Sequence, residues 1–220
     1  MPVVPPISFD DFCTQAGTCD LVLWGGSSKN STGVELISNS IYSHTTMVIT
    51  EPSTGAPFLL QSVTEGFEPD PLVGNKVHSG VQAGALRKTM VDLIGYKDHP
   101  TWRPYTGSNK NDPAFVQAVW SLATSLDGIP FPEVPWGMAS RLFEGRVEGI
   151  EKTDKLFCSG LAGLMYKRLG IIDQTIPCNA YFPKDFSSMY PGYLNVINGS
   201  FGIDTVVDVS GVSRVSPTTS

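Results

Sequence analysis

Between Leu156 and Gly170 the chain runs Leu-Phe-Cys-Ser-Gly-Leu-Ala-Gly-Leu-Met-Tyr-Lys-Arg-Leu-Gly, and this stretch constrains the fold more than any other. It predicts one helix, stopped by Gly170 and carrying Lys167 and Arg168 in its last turn, where cations complement the helix dipole. Cys158 falls in the first turn, on the face of Leu161, Ala162, Met165 and Leu169, so that face is expected to pack on the body of the domain. A thiol aimed inward at the positive end of a helix is in the arrangement that lowers a cysteine pKa. Free cysteines are also among the most buried of residues, and an inert thiol in a core is the competing expectation. The choice between them rests on whether the chain supplies a base.

At 220 residues and 41% hydrophobic content the chain is long enough to bury a full core, and residues 1–220 read as one domain, since no charge run, repeat or low-complexity linker marks a boundary. A net charge of -6 without a basic stripe argues against a nucleic-acid surface. No apolar run reaches the length of a membrane span. The start, Met1 to Pro6, lacks the basic region and apolar core of a signal peptide, so a cytoplasmic location is expected. The motifs Asn30-Ser-Thr32 and Asn198-Gly-Ser200 match the glycosylation pattern, which means little without secretion. The four cysteines, at 13, 19, 158 and 178, form no disulfide framework in a chain this long. Cys13 and Cys19 lack a neighbouring Cys-x-x-Cys or histidine, which argues against zinc there.

In chain order, Ser8 to Asp11 starts a short capped helix that Gly17 can end. Asp20 to Trp24 reads as a strand stopping at Gly25-Gly26, followed by a loop to about residue 33; Val34 to Tyr42 has no clear pattern. Thr45–Thr50 and Pro57–Ser62, separated by the turn residues Glu51 to Gly55, form a hairpin. His44 stands at its outer end, and folding about the turn brings Gln61 to Glu65 back beside it. His78, in a Gly/Asn-rich loop, and His99, before Pro100, lack comparable surroundings. Gly80–Leu86 and the segment from Val91 to Tyr105 are expected to add strands. Asp112-Pro113 opens a helix with a buried stripe of Phe115, Val116, Val119, Leu122, Ala123 and Leu126, closed by Gly128. Ile129 to Trp136, with its three prolines, reads as a stiff loop that either walls a cleft or wraps the surface. Asn179 to Phe186 is a turn leading into a short helical piece, Asp204 to Val209 a last strand, and the Ser/Pro/Thr-rich end is expected to fray.

A strand led by a histidine, a polar residue on the returning strand and a helix-borne cysteine are the parts that nucleophilic catalysis requires: a nucleophile, a base in reach and an orienter for that base. The ordered set Asp20–Trp24, Ser43-His44 with its strand, Leu59-Leu-Gln-Ser62, Gly80-Val-Gln82 and Phe157-Cys-Ser-Gly-Leu161, followed by Tyr166 and Gly170, resembles the circularly permuted branch of the NlpC-type, papain-like cysteine peptidases. Lecithin–retinol acyltransferase-like proteins are similar relatives. The histidine precedes the cysteine here, as permutation requires, and Pro183-Lys-Asp-Phe186 resembles a stretch that follows the helix in this branch. Two positions depart from the pattern: Gly160 stands where the branch often has glutamate, and Gln61 where it often has an acid.

The resemblance implies an α+β domain whose antiparallel, partly barrel-like sheet carries the Cys158 helix across it. It implies Cys158 as nucleophile, His44 as base and then acid, and Gln61 as orienter, with Glu65 as the alternative orienter. Backbone N–H groups at Cys158 and Ser159 would stabilise the oxyanion. No metal and no organic cofactor is required. The implied reaction is hydrolysis of a peptide, amide or ester bond through a thioester. Two alternatives stay open: acyl transfer involving an acyl-lipid, and an inactive binding module on the same frame. Neither substrate nor oligomeric state follows from the sequence.

Overall fold

The computed structural model describes residues 4–26, 39–66, 68–133, 136–190 and 192–212. The expected loop beyond Gly26, most of the patternless segment to Tyr42, the Asn30 motif and most of the Ser/Pro/Thr-rich end fall outside these residues. Seven strands, β1 (Ile7–Ser8), β2 (Leu21–Gly25), β3 (His44–Thr50), β4 (Pro57–Val63), β5 (Gly80–Ala85), β6 (Asp98–Arg103) and β7 (Thr205–Asp208), form one sheet in the order β1-β7-β6-β2-β3-β4-β5. All neighbours are antiparallel except the β1–β7 pair. The α+β class is as expected, but the sheet is open, with β1 and β5 as its edges, rather than closing toward a barrel.

Alternation along the strands gives the sheet two apolar faces, and each is covered by helices. On one face Leu21, Leu23, Met47, Ile49, Leu60 and Val81 pack against Val119 and Ala123 of α3 (Pro113–Leu126) and Leu161 and Met165 of α5 (Cys158–Arg168). On the other, Val22, Trp24, Val48 and Leu59 meet Phe9 and Phe12 of α1 (Phe9–Gln15) and Leu86, Met90 and Leu93 of α2 (Leu86–Ile94). Central strands covered on both sides are apolar in succession, which is why Leu21 to Trp24 shows no polar alternation.

Several helix ends follow the predicted chemistry. The Ser8 hydroxyl accepts the Asp11 N–H at the start of α1, and Asp112 accepts those of Ala114 and Phe115 before Pro113. The β3–β4 turn is held by Glu51, whose carboxylate accepts from Ser53 and Thr54; these bonds draw its pKa down to about 2.

Two segments differ from expectation. Leu86 and residues 91–94, expected to lie in strands, belong instead to helix α2, because Leu86, Met90, Leu93 and Ile94 recur at helical spacing against the second core. Its N-cap, Ala85, makes no side-chain cap bond, so the usual start signal is missing. Trp136, expected in the stiff loop, begins α4 (Trp136–Arg146). This helix docks beside the segment 178–186: a Cβ on Gly145 would lie 2.7 Å from the Ala180 nitrogen. Arg146 donates to the Ala180 carbonyl at 2.6 Å and pairs with Asp185.

Candidate active site

Helix α5 is buried all round rather than on a single face: every residue from Cys158 to Lys167 is buried. The sheet covers one side and the 178–186 segment the other. Gly163 permits that second contact, because a Cβ there would stand 2.6 Å from the Tyr181 ring. The helix start is fixed by side chains rather than by a cap. Phe157 is the N-cap and offers no side-chain bond, leaving first-turn N–H groups uncapped. The Ser159 hydroxyl donates to the Tyr181 carbonyl at 2.7 Å, and that of Ser62 on β4 donates to the Leu156 carbonyl at 2.6 Å.

The Ser62 bond marks how the thiol reaches the sheet. Pairing of β3 with β4 runs from Thr50↔Pro57 to Met47↔Leu60 and stops there, although both strands continue. Beyond that point the Ser62 hydroxyl bonds the chain leading into α5, and the Thr45 backbone N–H lies close enough to the Cys158 thiol to favour its thiolate. The start of α5 is therefore tied to the open end of the hairpin through Ser62, with Cys158 near Thr45, the residue after His44.

Alternation along β3 groups His44 with Thr46 and Val48, and Gln61 with Leu59, so both site residues belong to the same face of the hairpin. There His44 Nε2 lies 3.4 Å from Gln61 Oε1, a long hydrogen bond between buried groups. An amide oxygen only accepts, so Nε2 carries the proton and Nδ1 the lone pair. Thr46 anchors the same face, accepting from Trp24 Nε1 at 3.2 Å and donating to the Val22 carbonyl at 3.3 Å. Gln82, across from Gln61 on β5, donates to the His78 carbonyl at 2.6 Å.

Burial governs the electrostatics. His44 and Cys158 are each 5% exposed. Loss of hydration, aided by the nearby Lys97 charge, pushes the imidazole down to about 3, and the Gln61 bond only partly offsets this. The expected lowering of the thiol pKa is not observed. Burial raises it, outweighing the Thr45 N–H, the Lys97 charge and the N–H groups of Ser159 and Cys158, all of which favour the thiolate. At neutral pH the pair is therefore a thiol and a neutral imidazole.

Glu65 lies exposed in the bend after β4, whereas Gln61 holds the imidazole. His78 bonds to the Ser79 carbonyl and Asp70, and His99 lines a surface groove with Ile94, Asp98 and Val206 that includes neither Cys158 nor Gln61. Sequence reasoning missed Thr45, Ser62 and Lys97. Ser62 was detectable only through the hairpin register, and nothing in the local pattern singles out Lys97. Phe131, from the proline-rich stretch, packs with Leu142, Phe157 and Phe182 beside the helix start, which favours the cleft-wall expectation for that residue. No helix among the described residues is long and apolar enough to cross a membrane.

No family model matches the sequence, and no curated protein matches it. Among solved structures the chain is similar to the metalloprotein yiiX from Escherichia coli O157:H7, a DUF1105 protein. The two share 15% identity over 92% of this chain and 99% of that one, with a TM-score of 0.47.

Proposed function

We propose that the chain is a cysteine hydrolase on a circularly permuted papain-like, NlpC-type frame, cleaving an amide or ester bond through a thioester. One observation carries this reading: the Cys158 thiol, at an uncapped helix start, lies close enough to the Thr45 backbone N–H for it to favour the thiolate, and Thr45 follows His44, whose Nε2 is held by Gln61. The reading requires the His44 imidazole, which alternation groups with Trp24 and Val48, to meet the thiol round the end of β3, where the start of α5 reaches the hairpin.

In this mechanism His44 Nδ1 takes the Cys158 proton as sulfur attacks the acyl carbon. Negative charge develops on the carbonyl oxygen, where backbone N–H groups of Cys158 and Ser159 stabilise it. The bond to the leaving nitrogen or oxygen breaks, and the imidazolium returns the proton to that group. Water then attacks the thioester, His44 accepts its proton, and release of the carboxylic acid regenerates the thiol. Gln61 keeps Nδ1 free by accepting from Nε2. It carries no charge, so it stabilises the imidazolium less than a carboxylate would. A peptide, amide or acyl-lipid supplies the acyl group, and water is its default acceptor.

The test is a thiol-directed electrophile on the full chain, with mass mapping of the labelled peptide. Labelling concentrated on Cys158 and lost in His44→Ala is the expected result. The burial of the thiol favours one competing reading, a binding module with an inert cysteine; Cys158 labelling no faster than that of Cys19 or Cys178 would establish it instead.

A further inference from the structure

A second cluster lies outside the Cys158 site, where three segments meet at the start of β5. Asp70 caps the 3-10 turn Pro71–Val73, His78 stands two residues before β5, and Asp127 is the C-cap of α3. Their ligand atoms, one from each residue, all lie within 4.8 Å of one another. His78 Nε2 is 3.2 Å from Asp70 Oδ2 and 3.6 Å from Asp127 Oδ1. We propose that Asp70, His78 and Asp127 bind a single divalent cation of the zinc class, with water from the exposed side of His78 as its fourth ligand.

The argument begins with Asp127. Its side chain is only 4% exposed, it points into the cluster, and its Oδ1 has no hydrogen-bond partner. A buried carboxylate oxygen left in that state costs free energy that a bound cation recovers. The other two groups are already aimed. Asp70 Oδ1 accepts the Leu72 N–H at 2.8 Å, and Oδ2 accepts that of Ala83 at 2.9 Å while keeping lone-pair capacity. His78 Nδ1 donates to the Ser79 carbonyl at 2.9 Å, so Nε2, which bonds Asp70 in the empty site, is the nitrogen that gives up its proton to ligate a cation. A backbone carbonyl behind a ligating imidazole is the usual outer support of a metal-bound histidine. The His78 backbone is itself held, its carbonyl accepting from Gln82 at 2.6 Å.

Geometry selects the class of ion. Ligand bonds of about 2.0–2.1 Å in a tetrahedron give ligand–ligand edges of about 3.4 Å; the two edges at His78, 3.2 and 3.6 Å, bracket that value, and the Asp70–Asp127 edge lies within 4.8 Å. One imidazole with two carboxylates suits a borderline ion, whereas magnesium and calcium favour all-oxygen cages. His78 is 24% exposed and leaves a side open to water.

The measurement is metal counting on the full chain, stripped with a chelator and dialysed against micromolar zinc, with cobalt as a spectroscopic probe. The expected result is one ion per chain, bound at least tenfold more weakly by His78→Ala and by Asp127→Asn. Asp127→Asn preserves shape and keeps the variant folded, and an unchanged thermal midpoint in chelator verifies this. Cobalt should give visible bands without thiolate charge transfer, and Cys158→Ala should bind the ion normally, separating this site from the proposed catalytic one. No retained ion, retention unaffected by both variants, or a thiolate band would each overturn the assignment.

Discussion

Gln61 and Glu65 are the two residues from which the histidine's partner had to be chosen, and their positions separate them. Gln61 is 2% exposed within β4 and reaches His44, while Glu65 lies in solvent beyond the strand. An orienter acts by holding one geometry, so Gln61→Ala should slow acylation by at least about tenfold, whereas Glu65→Ala should leave it within about twofold. Acylation rates of the two variants decide the point. The depressed His44 pKa makes a second prediction. The unfolded imidazole titrates near 6.5 and the folded one near 3, so between these values the unfolded chain binds more protons. The stability due to a neutral His44 is complete above about pH 6.5 and is lost as pH falls toward 3. Urea midpoints should drop across that window, and less steeply in His44→Gln, which cannot titrate. The alternation that pairs His44 with Gln61 was legible in the sequence because a strand allows each side chain only two directions. The rise in the thiol pKa was not: the N–H groups of the first turn follow from helix position, but the stronger effect of burial depends on everything packed around Cys158.

At the scale of elements, the sequence revealed structure where local chemistry punctuates it. The β3–β4 hairpin, α3 with its Asp112 cap and α5 with its Gly170 stop all carry such signals. Helix α2 has no side-chain cap, and its apolar spacing has meaning only once the second core exists. The end of the β3–β4 pairing at Met47 and Leu60 is likewise illegible locally, and beyond it the Ser62 hydroxyl bonds the chain entering α5. Within α5 two glycines should respond oppositely to the same change. A Cβ at Gly163 would meet the Tyr181 ring at 2.6 Å, but one at Gly160 would meet the Phe157 ring at an ordinary 3.6 Å. Gly163→Ala should therefore cost about 1–3 kcal/mol through overpacking. Gly160→Ala should be neutral or gain up to about 1 kcal/mol from helix propensity. Chemical denaturation of both variants measures the difference, and a loss at Gly160 as large as at Gly163 would refute the packing argument.

For the molecule as a whole, the question is what keeps the segment after α5 pressed on that helix, since it forms the side opposite the sheet. Little regular structure does so: the segment is two short 3-10 turns, Cys178–Ala180 and Pro183–Phe186. Arg146, at the end of α4, supplies the fixings. It donates to the Ala180 carbonyl, pairs with Asp185, and lies over the rings of Phe182 and Tyr193 at 4.3 and 4.2 Å from their centres. Asp185 in turn accepts the Phe182 N–H at 2.7 Å. Burial already holds the Asp185 carboxyl above its usual pKa, although the Phe182 N–H and Arg146 pull it down. Arg146→Ala removes that opposing charge and leaves a carboxylate 5% exposed, so the loss should be on the order of 3 kcal/mol at pH 8. The sign of its pH dependence follows from linkage. In this variant the folded pKa of Asp185 rises further above the unfolded value, so the folded state binds more protons between the two, and stability falls as pH rises through that interval. The variant should therefore recover part of its loss at pH 5, relative to the parent chain. Adding Asp185→Asn should remove most of that pH dependence, because an amide retains an acceptor for the Phe182 N–H without a charge to bury. Denaturant midpoints of the parent, single and double variants at both pH values measure this. A deficit independent of pH would assign the role of Arg146 to its stacking on Phe182 and Tyr193 rather than to its charge.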